Sequence, residues 1–151
     1  MTEDGINARH EALESEGLES TIGNIYRDLY DIQDRFESLS PGERVEVLPH
    51  MFDLIERAGD LDIGSGSPGP ITHAIETTSE FYLPFLFASL RRLPTPSTML
   101  MVNRWANSLE KVDDLLPFLA ELEKAAAHPK ASVTTREDAM DYLNHQKSRL
   151  R

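Results

Sequence analysis

Apolar residues at alternating spacings of three and four, Ile22, Ile25, Leu29, Ile32, Phe36 and Leu39, lay one continuous stripe along a helix over 19–39. Its other face carries Arg27, Asp28, Asp31, Asp34, Arg35 and Ser38, with Arg27, Asp31 and Arg35 four apart so that neighbouring turns can pair their charges. The same period, interrupted by prolines, runs through the rest of the chain. Nowhere do apolar and polar residues alternate over four or more positions between turn signals, as a strand would require. The expected fold is all-α: a single-domain helical bundle or short HEAT-like helical stack over 1–151, with 1–18 as a frayed N-terminal segment and 61–70 as an internal loop.

Prolines and small polar residues punctuate that pattern. Ser40-Pro41-Gly42-Glu43 reads as a capping box opening a helix through Val45, Leu48, Phe52 and Ile55, kinked or broken at Pro49 and ended by Gly59. A helix should begin at Pro70, and Ser79 should cap another through Phe81, Tyr82, Phe85, Leu86 and Leu90, broken or kinked at Pro84. After the stop and restart at Leu93-Pro94-Thr95-Pro96-Ser97, a helix with Met99, Leu100, Val102 and Trp105 is apolar on much of its circumference, which marks it as central. The next carries Leu115, Leu116, Leu119 and Leu122 and closes at His128-Pro129. Thr135, Glu137 and Asp138 open the last, with Met140, Tyr142 and Leu143 facing in and Lys147, Arg149 and Arg151 suiting the negative end of its dipole.

Charge and composition narrow the function. The 151 residues carry a formal net charge of -11, and 16 acids against 5 bases fall in residues 1–62, whereas residues 63–151 hold 10 of each. A surface of this sign disfavours direct nucleic-acid binding, which needs cations for the phosphates. It can steer a basic partner into contact, although plain solubility also accounts for an acidic surface. No apolar run approaches the roughly 20 residues of a membrane span, and the charged N-terminus has no apolar signal segment, so the expected location is cytoplasmic. The absence of cysteine removes disulfides, thiolate metal sites and a cysteine nucleophile together.

No constellation points to catalysis. The histidines His10, His50, His73, His128 and His145 are scattered, and no pair has the i, i+4 spacing of a helical zinc site. His73, Glu76 and Glu80 have spacings that would share a helical face, a trio equally common on solvated helices. Gly64-Ser65-Gly66-Ser67-Pro68-Gly69 precedes a helix start and could offer amides to an anion, yet it lacks the Gly-Lys-Ser/Thr of a phosphate loop and a strand before it. No serine elbow is present, and a lone Trp105 on an apolar helix suits packing. The chain is therefore expected not to be an enzyme, and to have no catalytic, cofactor-binding or metal-binding residue.

Over Gly64 to Asn107, the segments Ser67-Pro68-Gly69-Pro70, His73-Ala74-Ile75-Glu76, Tyr82, Ser89-Leu90-Arg91-Arg92, Pro94-Thr95-Pro96-Ser97-Thr98 and Asn103-Arg104-Trp105-Ala106-Asn107 resemble bacterial polymorphic-toxin immunity proteins. These include the immunity partners of contact-dependent growth-inhibition toxins. The resemblance implies a cytosolic protein that binds and neutralises a cognate toxin C-terminal domain, with a basic nuclease as the expected partner. It also implies that Pro70, Tyr82, Pro94, Thr95 and Asn107 serve as scaffold. The partner-binding residues are then expected on the acidic first part: Asp28, Asp31, Asp34, Glu46, Asp53, Glu56, Asp60 and Asp62. Read from the residues alone, the alternative is an acidic helical adaptor for another basic protein or peptide.

Overall fold

The computed structural model describes residues 18–64 and 68–150, with side chains described over 27–62 and 68–150. The expected frayed segment therefore lies outside the described residues up to position 17, as do Ser65, Gly66 and Ser67 of the expected loop. The fold is all-α, with no strand among the described residues. The chain divides into two compact units, Met1–Tyr82 and Leu83–Arg151. The division falls between helical elements, not in the Gly/Ser-rich stretch.

In the first unit, α1 (Leu18–Glu37) buries Leu29 and Phe36 of the predicted stripe. The Ser40–Glu43 capping box then forms as read: Glu43 N donates to Ser40 Oγ at 3.3 Å and Ser40 N to Glu43 Oε1 at 3.1 Å. It opens α2 (Pro41–Glu46). The break expected at Pro49 occurs at Val47, and α3 (Leu48–Ala58) begins afresh. Pro49 has no N–H for the Val45 carbonyl and its ring would strike that carbonyl, whereas in a first turn neither matters. Gly59, at φ 56, ends α3 in the left-handed region open to glycine. The first residues of the expected 61–70 loop are in fact a helical turn, α4 (Leu61–Gly64), and α5 (Pro70–Glu76) follows. Helix α5 packs on α1, α3 and α4. Phe52, Ile55, Ile71, Ala74 and Ile75 are fully enclosed there.

Ser79 does not cap a helix. It sits at φ 55, where an N-cap would be extended, and begins a single 3₁₀ turn, Ser79–Tyr82. The left-handed residue interrupts the helical path, and in the turn that follows Tyr82 is buried, 3% exposed, whereas Phe81, expected on a buried stripe, is 60% exposed.

The second unit comprises α6 (Leu83–Arg92), α7 (Pro96–Asn107), α8 (Val112–Ala126) and α9 (Val133–Ser148). Thr95 and Thr98 form a reciprocal cap at the start of α7. Met99, Met101, Val102 and Ala106 are wholly buried, so α7 is central as its composition predicted, although Trp105 is only half-buried. Helix α9 packs on both α8 and α7. It starts two residues before the predicted Thr135, because Ser132 takes the N-cap and accepts from Thr135 N at 3.1 Å. Leu116 and Met140, expected inward, are about half exposed, at 49% and 46%. The inward position on the last turn of α9 belongs instead to Gln146, at 0%. Its amide donates to Asn103 Oδ1 and Asn107 Oδ1, both at 2.7 Å. Arg149 donates to Gln146 Oε1 and to the carbonyls of Ala106 and Leu109, placing its charge at the carbonyl end of α7 as well as of its own helix.

Candidate partner-binding surface

Of the eight acids expected to form a contact face, Asp31, Asp34, Glu46, Asp53 and Asp60 are exposed and Asp28 and Glu56 half-buried. All seven lie on α1, α2, α3 or the turn that follows α3. Asp53 is bound at 3.1 Å by Arg57, one turn on, with both side chains substantially exposed. Water screens such a pair, so it holds little of the helix together.

Asp62 is a correction. It is fully buried and cannot meet a partner. Oδ1 accepts from Ile71 N at 2.8 Å, and Oδ2 accepts from Thr72 N at 3.3 Å and Thr72 Oγ1 at 2.7 Å. These amides belong to the first turn of α5, whose N-cap residue, Gly69, has no side chain with which to satisfy them. Asp62 performs that capping from seven residues upstream, with its negative charge at the positive end of the helix. Gly69 is required by space: a Cβ there would collide with the backbone carbonyl of Asp62. The amides at the helix start after the Gly/Ser-rich segment are thus taken by the chain's own carboxylate.

The His73, Glu76 and Glu80 trio also dissolves. Helix α5 stops at Glu76, where the hydroxyls of Thr77 and Thr78 donate back to the carbonyls of Ala74 and Ile75. Glu80 lies in the separate turn that begins at Ser79, so it shares no helical face with His73. His73 faces Glu37 of α1 instead, with Nε2 3.8 Å from Oε1 and more than half of its side chain exposed. Among the described residues, no three His, Asp or Glu side chains are grouped to hold a metal ion. His128 is tied to backbone: Lys130 N donates to Nδ1, which leaves Nε2 as the donor to the Arg91 carbonyl, each at 3.2 Å.

One concavity in the first unit went unnoticed in the sequence. A cavity of about 570 Å³, mostly apolar, opens between the N-terminal end of α2 and the 77–81 turn. Pro41, Gly42, Arg44 and Val45 line one wall and Thr77, Thr78, Ser79 and Phe81 the other. Arg44 is held from behind, its Nε donating to the Leu39 carbonyl at 3.1 Å and Nη2 to the Glu37 carbonyl, with the guanidinium 6.0 Å from the centre of the Phe36 ring. It is the cationic C-cap of α1. Glu43, Glu46 and Glu80 are exposed immediate neighbours of the lining residues in the chain. The hydrogen bonds to Ser40 hold the Glu43 carboxyl below its usual range, so it stays charged in mildly acidic solution. The available signal was Phe81, an aromatic placed after two threonines and a serine that could not continue a helix.

No protein-family model, no curated protein and no solved structure matches the chain. No helix of the described residues is long and apolar enough to cross a membrane.

Proposed function

We propose that this chain is a stoichiometric protein inhibitor, an immunity protein that binds and neutralises a cognate toxin domain in the cytoplasm, with a basic nuclease as the toxin. The observation that carries this reading is the acid surplus of the first unit: 18 acids against 5 bases in residues 1–82, compared with 8 against 10 in residues 83–151. Asp31, Asp34, Glu46, Asp53 and Asp60 present that surplus to solvent on consecutive elements. Such a field accelerates association with a basic surface and repels nucleic acid, which would otherwise compete for the toxin. The resemblance of 64–107 to immunity proteins supplies the identity of the partner.

The test is co-expression with the C-terminal domain of the large protein encoded directly upstream, scored by cell survival, with calorimetric titration at two salt concentrations. Survival with tight one-to-one binding that weakens at high salt is expected. Replacing Asp31, Asp34, Asp53 and Asp60 together by lysine should slow association and abolish protection. Neither survival nor binding would overturn the reading.

A further inference from the structure

We propose that the cavity between α2 and the 77–81 turn is the anchor site of this binding surface, and that it takes one large apolar side chain from a lysine- or arginine-rich segment of a partner protein. The inference rests on the inhibitor reading for the partner's identity, but not for the chemistry of the site. The first argument is what the walls leave unsatisfied. Thr77 and Thr78 spend their hydroxyl protons on α5 carbonyls, and Arg44 directs Nε and Nη2 to the end of α1. Phe81, Val45 and Pro41 supply apolar lining, Ser79 a hydroxyl, and the mostly apolar wall suits an aliphatic or aromatic side chain better than a small polar metabolite.

The second argument is shape and exposure. An aromatic ring left 60% exposed beside a concavity is the arrangement from which interface hot spots are made, because covering it removes apolar surface from water on both partners. The volume of about 570 Å³ falls within the usual range of ligand pockets, roughly 300–1,000 Å³. The third argument is charge. Glu43, Glu46 and Glu80 flank the lining residues in the chain, so the segment that delivers an apolar anchor is favoured if it carries cations on either side. Acidic residues around an apolar centre select a basic amphipathic partner and disfavour an acidic one.

Gly42 makes the site testable without damage to the fold. A Cβ built there meets nothing within 4 Å, and the residue lies in the cavity wall on the first turn of α2. Gly42→Leu therefore adds a bulky side chain at the cavity wall with no clash at its Cβ. Phe81→Ala removes the exposed ring. Both variants of the full chain should keep the wild-type circular dichroism spectrum and melt no earlier.

The probe is a fluorescein-labelled dodecapeptide with one central tryptophan between lysines, with a serine-for-tryptophan control and a glutamate-for-lysine control. Fluorescence anisotropy should show each control, and each protein variant with the parent peptide, binding about tenfold or more weakly. Amide shifts on binding should centre on 41–46 and 77–81. Equal binding of the tryptophan and serine peptides, unchanged binding by both variants, or shifts centred elsewhere would overturn the anchor site. The upstream-encoded toxin domain separates the two readings. If it binds wild type and Gly42→Leu alike, the anchor site fails and the inhibitor reading stands. If it does not bind but the tryptophan peptide binds in a Gly42- and Phe81-dependent way, the inhibitor reading fails and the site stands as a basic-peptide receptor.

Discussion

The two units secure their helix ends by the same chemistry but differ in how far their acids are balanced by bases. In the first, a buried carboxylate caps the start of α5 and Arg44 caps the end of α1; in the second, the Thr95 and Thr98 pair caps the start of α7 and Arg149 its end. The second unit balances 8 acids with 10 bases, and its one buried acid among the described residues, Glu121, with a side chain only 10% exposed, is shared by Arg91 at 3.9 Å and Lys124 at 3.8 Å. The first unit has more than three acids for each base, and five of those predicted for the partner face stand in solvent. A surplus of one sign raises self-repulsion and adds little to the fold, so its benefit is sought in association. The difference teaches that buried and exposed acids in this chain have separate tasks, and that sequence position alone does not distinguish Asp60 from Asp62.

The sharpest way to break the comparison is Asp62→Ala. Two helix amides and the Thr72 hydroxyl would lose their acceptor in a buried setting, and a loss of about 3 kcal/mol is expected in chemical denaturation followed by circular dichroism. The only tryptophan, Trp105, lies in the second unit, so its fluorescence reports whether that unit unfolds in the same transition. Next in size is Gln146→Leu, which strips the carboxamide from Asn103, Asn107 and Arg149. A loss of about 2 kcal/mol is expected in the tryptophan-detected transition, while the inhibitor's association rate stays unchanged.

Ser40→Ala removes one half of the α2 capping box, and about 1 kcal/mol should go from the melt of the first unit. Its acid-side counterpart follows from Glu43. Because the folded state lowers that carboxyl's pKa, its contribution is present above the ordinary carboxylate value of 4.5 and disappears as pH falls through the folded value. Ser40→Ala should therefore flatten this part of the acid limb of a stability profile. The smallest effect is expected at Tyr142 in α9. Burial, then Asp138 and Asp141, raise its pKa above 10.0, so its contribution is whole below that value and lost as pH rises through the folded one. Tyr142→Phe should preserve more stability at alkaline pH than wild type retains, by a small margin because the ring is half in solvent.

Much of the fold was legible because it follows rules that act within one turn. The buried positions Leu29 and Phe36 of the first stripe, the Ser40–Glu43 box, the restart at Thr95-Pro96 and the stop at Gly59 each depend on residues no more than a few positions apart, and each is found as read. The candidate site was less legible. Five of the seven surface acids predicted from charge are exposed and two half-buried, but the cavity beside them needs two segments about 35 positions apart in the chain to meet. The failures share that character. Asp62 could not be told from a surface acid until α5 came within reach of it, nor Arg149 from a dipole-matching residue until α7 offered its carbonyls. Phe81 read as core because the helix was started at Ser79, whereas 79–82 form a 3₁₀ turn and the α-helix begins at Leu83.

The sequence by itself determined the helical class, those helix ends set by a local cap or breaker such as Ser40, Gly59 and Thr95, and the acidic sign of the first 62 residues, since periodicity, caps and charge are properties of neighbours. Only the tertiary structure decided which acid is a cap and which is surface, which aromatic is core and which is exposed, and where a concavity opens. Burial and hydrogen bonding across long stretches of chain depend on which elements pack together, and no local pattern encodes that distance.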